Sequence, residues 1–180
     1  MAATLDPLET ALTLAASGLS VIPIKPDGSK SPALAAWAEF QTRIATHEEI
    51  RDMFRPGIGV AIVGGEASAN LEVLDIEADA PFEEFCELIR EHDAQLLNGL
   101  PHVETPSGGH HLFYRCDEIA GNQKLAMHAG ANGHPEVIFE TRGRGGYVLT
   151  IGCPPACHED GREYRLIHGR LTQIPRISRI

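Results

Sequence analysis

Nowhere in its 180 residues does the chain run 18 apolar residues together, which excludes a membrane-spanning helix. Nor does it open on a basic patch followed by an apolar stretch, as a secretory signal would. A cytoplasmic address with no membrane partner is therefore the expectation. Cysteine is scarce: Cys86, Cys116, Cys153 and Cys157 are too few and too unevenly placed for a secreted disulfide framework, so reduced thiols are expected. Aromatics reach only 6%, but 43% apolar and 22% charged residues do not fit a disordered tail, a collagen-like fibre or a coiled coil. What remains is a globular chain of one domain, residues 1–180, long enough to bury about 70% of its unfolded surface.

Positive charge is also in short supply, and unevenly so. Residues 1–140 carry 8 Lys and Arg against 22 Asp and Glu, whereas residues 141–180 carry 7 Arg against 3 acids, within a net charge of −10. A protein that coats duplex DNA nonspecifically would be basic overall, because its affinity comes from neutralised phosphates. This distribution allows at most a local grip on a phosphate-bearing partner.

Asp6 and Pro7 open an amphipathic run (Leu8, Leu12, Ala15) closed by Gly18, which predicts a short helix. A strand follows over 19–24, then a turn at Lys25-Pro26-Asp27-Gly28. Residues 33–42 and 46–54 read as helices, the second opened by Thr46 with Glu49 in capping-box spacing. Strands are expected at 58–63 and 71–77, and a helix at 81–92 with Phe82, Phe85, Leu88 and Ile89 at helical spacing. From His102 onward the pattern is strands at 102–105, 110–115, 136–141, 145–151 and 163–167 between glycine-rich turns. The fold class is α+β, with an α/β first half and a mainly antiparallel β second half.

Three clusters carry chemistry. In Leu71-Glu72-Val73-Leu74-Asp75-Ile76-Glu77, strand alternation points Asp75 and Glu77 the same way. Two like charges on one face are either solvated at a frayed strand end or held together by a cation, and hard oxygen ligands select Mg²⁺ or Mn²⁺. In Thr105-Pro106-Ser107-Gly108-Gly109-His110-His111, a glycine turn precedes a strand, and exposed amides in such a turn suit a phosphate. His110 and His111 must face opposite sides, so only one can look into a site. In Val137-Ile138-Phe139-Glu140-Thr141-Arg142, an apolar strand ends in an acid and an arginine on one face, either a surface ion pair or part of a site.

In this order, the clusters resemble the bifunctional primase-polymerase (Prim-Pol) domain of the archaeo-eukaryotic primase superfamily, found in plasmid, phage and mobile-element replication proteins. Asp75 and Glu77 match its Asp-x-Asp/Glu motif, His111 its histidine and Glu140 its third acid. Val21-Ile22-Pro23-Ile24, Lys30-Ser31-Pro32, Trp37, Gln41 and Gly145-Gly146-Tyr147-Val148 are similar to its flanking text, and the likeness spans about residues 10–168. The resemblance implies an archaeo-eukaryotic primase-like core and template-directed nucleotidyl transfer, as DNA primase and DNA polymerase. Two divalent ions (Mg²⁺ or Mn²⁺) would sit on Asp75, Glu77 and Glu140, which are thereby the catalytic residues. Ser107, Gly108, Gly109, His111, Arg142 and Lys30 would bind the nucleotide. The partners implied are single-stranded DNA template and primer, nucleoside triphosphates, and a helicase domain or subunit. The same acids would serve a metal-dependent nuclease, and a non-catalytic DNA-binding replication module is the other alternative. Where many relatives have an Ala-Pro-Pro-Ser-like run and a His, this chain has Gly152-Cys153-Pro154-Pro155-Ala156-Cys157-His158. Cys153, Cys157 and His158, with Cys116 or His134, would form a zinc site if all four ligands met.

Overall fold

The computed structural model describes residues 5–130 and 133–178. Helix α1 (Pro7–Ala16) starts where Asp6 accepts the Leu8 amide and Pro7 fills a first-turn position that needs no N–H. It ends before Gly18, whose φ of 82° lets the chain reverse into strand β1 (Val21–Ile24). Helix α2 (His47–Met53) has the expected capping box, with Thr46 and Glu49 exchanging side-chain and backbone bonds. No α-helix forms over 33–42. Ala33 is tied by its amide to the Pro23 carbonyl, Pro32 bridges Ile24, and Trp37 packs edge-on against Tyr147. The chain is thus held against β1, and only a 3₁₀ turn, Ala38–Gln41, remains.

Strands β2 (Gly59–Val63) and β3 (Leu71–Ile76) precede helices α3 (Phe82–His92) and α4 (Leu96–Gly99). Then come β4 (His102–Glu104), β5 (His110–Arg115), β6 (Gln123–Ala129), β7 (Pro135–Arg142), β8 (Tyr147–Leu149) and β9 (Arg165–His168). They build two sheets, one in the order β1-β2-β8 and one in the order β6-β7-β3-β5-β4-β9. Every pairing between these strands is antiparallel, those of the first half included.

The central strands of the larger sheet are covered on both faces. On one, Leu71, Val73, Val103 and Phe113 join the small sheet and α1 in the main core, with Phe113 wholly buried. Truncating such a side chain typically costs about 3–5 kcal/mol. On the other, Ile76, Leu112 and Phe139 pack beneath Phe82, Phe85, Leu96 and Leu97 of α3 and α4. The stripe of α3 is therefore Phe82, Phe85 and buried Cys86, while Leu88 faces solvent. Because β3 lies between β5 and β7, the residue at its end has a cross-strand neighbour on either side. No helix among the described residues is long and apolar enough to cross a membrane.

Candidate active site

Asp75 is the last residue but one of β3. Its cross-strand partners are Glu140 on β7 and His111 on β5, so the three side chains share one face. Glu77 lies one residue past the end of β3. Its amide donates to the Ile138 carbonyl at 3.0 Å, which continues the pairing and keeps Glu77 on the side of Asp75. Carboxylate oxygens of Asp75, Glu77 and Glu140 come within 4.8 Å of one another. Arg142, two residues after Glu140, donates from Nε to Asp75 Oδ2 at 3.2 Å and from Nη2 to Glu140 Oε1. His111 Nε2 lies 3.3 Å from the other Asp75 oxygen, Oδ1.

These contacts divide the acids. Burial pushes the Asp75 carboxyl up, but the hydrogen bond and charge of His111 and the charge of Arg142 outweigh it and hold the group below the ordinary carboxylate range. Burial and the charge of Asp75 push Glu77 up, against the pull of Lys30. Burial likewise raises Glu140, Arg142 opposing and Asp75 reinforcing. A trio in which one carboxylate raises two others is a place where a divalent cation relieves repulsion. All three donors are hard oxygens, which fits Mg²⁺ or Mn²⁺ rather than a thiolate-seeking metal. His111 is 5% exposed, and its Nδ1 is buried without a hydrogen-bond partner, a polar atom left over at the site.

Before the trio opens a cavity of about 320 Å³. Lys30, Ser107 and Arg142 line it, as do Asn122, Tyr147, His158 and Tyr164. Lys30 is exposed at φ 58°, and its carbonyl accepts the Tyr147 hydroxyl at 3.0 Å. His158 accepts the Asp160 amide on Nδ1 at 3.2 Å. Burial and the charge of Lys30 lower its pKa, against the pull of Asp160, whose Oδ2 lies 3.3 Å from the same nitrogen. Tyr164 stands between the two imidazoles, with ring centroids 6.0 Å from His111 and 6.1 Å from His158. Sequence reasoning left out Asn122 and Tyr164, which no local pattern marks, and read His158 only as a zinc ligand.

Three expectations change. The amides of Gly108 and Gly109 are not presented to a ligand: they donate to the Thr105 carbonyl at 2.9 Å and to Thr105 Oγ1 at 3.0 Å. The turn offers the Ser107 side chain to the cavity, and Gly109 is required because a Cβ there would run into the Ile76 carbonyl. The zinc ligands do not gather. Cys153 Sγ both donates to the Val60 carbonyl at 3.1 Å and accepts its amide at 3.2 Å, and Gly59 packs against the sulfurs of Cys153 and Cys157. Cys116 is placed elsewhere, against the carbonyls of Asn70 and Glu118, while His158 turns to Asp160 and the cavity. Among the described residues the one group of three or more acids, histidines and cysteines close enough to share an ion is Asp75, Glu77 and Glu140. Finally, the positive charge that would give residues 141–180 a local grip is partly neutralised by ion pairs: Arg144 pairs with Glu66, Arg165 with Glu104 and Arg176 with Asp117.

Comparison with curated proteins gives no match. The model of one protein family, Prim-Pol, described as "Bifunctional DNA primase/polymerase, N-terminal", matches residues 11–177, which include every residue of the site above. With an α+β fold of two antiparallel sheets and an acidic trio at the end of β3, the chain belongs to the Prim-Pol family of bifunctional DNA primases/polymerases.

Proposed function

We propose that the chain catalyses template-directed nucleotidyl transfer onto a nucleic-acid 3′ end, acting as primase and polymerase in the replication of a plasmid, phage or other mobile element. The observation that carries the reading is the convergence of Asp75, Glu77 and Glu140 on one sheet face, with Asp75 and Glu77 lining a cavity whose wall also bears Lys30, Arg142 and His158. In the reaction, a primer 3′ oxygen bonds to the α-phosphorus of an incoming nucleoside triphosphate, the bond to the bridging oxygen breaks, and pyrophosphate leaves with the electron pair. Two Mg²⁺ or Mn²⁺ ions on the trio would supply charge neutralisation and activation of the hydroxyl.

The chain's own residues supply orientation. His111 is fixed by its contact with Asp75 and by burial under Tyr164, so it holds Asp75 in register while its ring borders the triphosphate site. The His158 ring and the Ser107 hydroxyl act as donors to phosphate oxygens. Lys30 and Arg142 provide positive charge on the same wall. Gly108 and Gly109 act through shape, by letting the turn lie against the end of β3.

A labelled primer annealed to a longer template, incubated with the protein and Mn²⁺, tests this. Extension that depends on added triphosphates is expected. Shortening of the primer without triphosphates would instead identify a nuclease, with water in place of the 3′ hydroxyl.

A further inference from the structure

Two of the three acids of the trio are already engaged by a cation. Arg142 bridges them, Nε to Asp75 Oδ2 and Nη2 to Glu140 Oε1. His111 takes the remaining oxygen of Asp75, so both oxygens of that carboxylate face a donor. Glu77 differs: among the described residues no side chain bonds to it or pairs with it. A divalent cation bound among these oxygens would share Asp75 and Glu140 with a guanidinium of the same sign at contact distance, which electrostatics opposes.

Arg142 has somewhere else to go. Its side chain is 32% exposed, against 15% for Asp75 and 13% for Glu140, and it lines the cavity alongside Lys30, Ser107 and His158. Its backbone is anchored by pairing with Val73, so a change of side-chain rotamer moves the charge without moving the strand. We propose that Arg142 is the resident counter-ion of the trio, that it exchanges with the divalent cation, and that its released guanidinium moves onto the phosphates of the incoming nucleotide. The exchange itself rests on the ion pairs alone, while the destination rests on the function proposed above. Its consequence is that cation and triphosphate bind cooperatively. A cation arriving alone must displace Arg142 into an empty cavity, whereas a cation arriving with a triphosphate gives the arginine a new anionic partner.

Mn²⁺ binding, followed by loss of the free-ion paramagnetic resonance signal, tests this on the full chain with and without a non-hydrolysable α,β-methylene nucleoside triphosphate. Arg142→Gln is expected to bind Mn²⁺ alone about tenfold more tightly than wild type. The analogue should strengthen Mn²⁺ binding at least about tenfold in wild type and less than about threefold in the variant. Equal or weaker binding of Mn²⁺ alone by Arg142→Gln would overturn the exchange, whereas tighter binding by the variant with equal strengthening by the analogue in both proteins would overturn the move of the guanidinium onto the phosphates and leave the nucleotide reading standing. If the variant binds Mn²⁺ more tightly but the analogue strengthens neither protein, the exchange stands and the nucleotide destination fails. A second measurement needs no variant to fold: the Arg142 Nε–H resonance of the wild-type protein should shift when Mg²⁺ and the analogue are added together. A resonance that stays in place at saturation would contradict the exchange.

Discussion

His110 and His111 are neighbours on β5 and have opposite surroundings. His111 faces Asp75 across the ladder and borders the cavity, together with Glu77 and Arg142. His110 faces the helices: Phe82 stacks on it with centroids 3.7 Å apart, and its Nδ1 lies 2.9 Å from Nε2 of His102. Burial lowers the pKa of both His110 and His102, the latter to about 4, so the helix-covered face is a neutral, hydrogen-bonded pair under an aromatic lid. The cavity face instead gathers charge, with two carboxyls raised and a buried imidazole nitrogen without a partner. One strand thus supports structure on one side and the proposed chemistry on the other, because groups that are satisfied stabilise whereas groups held in conflict attract ligands.

The sharpest way to break this contrast is at Asp75. Asp75→Asn should cut nucleotide incorporation by on the order of 10³-fold, about 4 kcal/mol in the barrier, while the far-ultraviolet circular dichroism spectrum stays unchanged. Activity within tenfold of wild type would remove the acidic trio from the chemistry. Next comes the histidine pair. His111→Ala should lower incorporation by roughly 100-fold, whereas His110→Ala should leave it within about threefold and lower unfolding free energy by about 1–2 kcal/mol through loss of the Phe82 stack. The reverse pattern, measured by primer extension and urea titration side by side, would invert the two faces. Gly109→Ala should affect both sides at once, because its Cβ pushes the turn off the Ile76 carbonyl. We expect a loss of about 1–3 kcal/mol in stability together with reduced incorporation.

The pH dependence of stability separates the faces more finely. His102 has its pKa depressed from 6.5 to about 4 by burial, then by the charges of His110, His168 and His111, so the unfolded chain takes up a proton that the folded chain refuses. Its contribution is fully present above pH 6.5 and is lost as pH falls from there toward 4. With allowance for its partial exposure the loss is about 1–2 kcal/mol. Urea titrations at pH 7.5 and 5 should show a smaller drop in His102→Gln than in wild type, since the carboxylates titrate in both. Equal drops would mean that the histidine pair is not held neutral. The smallest effect belongs to Arg144, whose exposed pairing with Glu66 lies outside both faces. Arg144→Ala should change unfolding free energy by less than about 0.5 kcal/mol.

Much of the site was legible because it depends on strand alternation. The apolar runs of β3, β5 and β7 mark the strands, and a period of two assigns Asp75 with Glu77, and Glu140 with Arg142, to shared faces. What alternation could not give is pairing: the Arg142 bridge depends on β3 lying between β5 and β7. Strand β6 was missed because it is exposed on both faces, Leu125 and Met127 included, and so carries no buried period. Short α4 gave no periodicity to read. The phosphate-binding reading of Gly108 and Gly109 failed on Thr105, whose side chain and carbonyl claim both amides within the turn. His158 was read with the cysteines beside it in sequence, but the chain turns its ring toward Asp160 and the cavity while the thiols face β2.

Both faces hold groups that bind divalent metals in proteins, carboxylates on one and a close histidine pair on the other, and only the first is proposed to do so. Anomalous diffraction from crystals grown with Mn²⁺ decides between them directly. The account predicts density between the carboxylates of Asp75, Glu77 and Glu140, with Arg142 withdrawn from Asp75. Density between His102 and His110, with the acidic trio still bridged by Arg142, would contradict it.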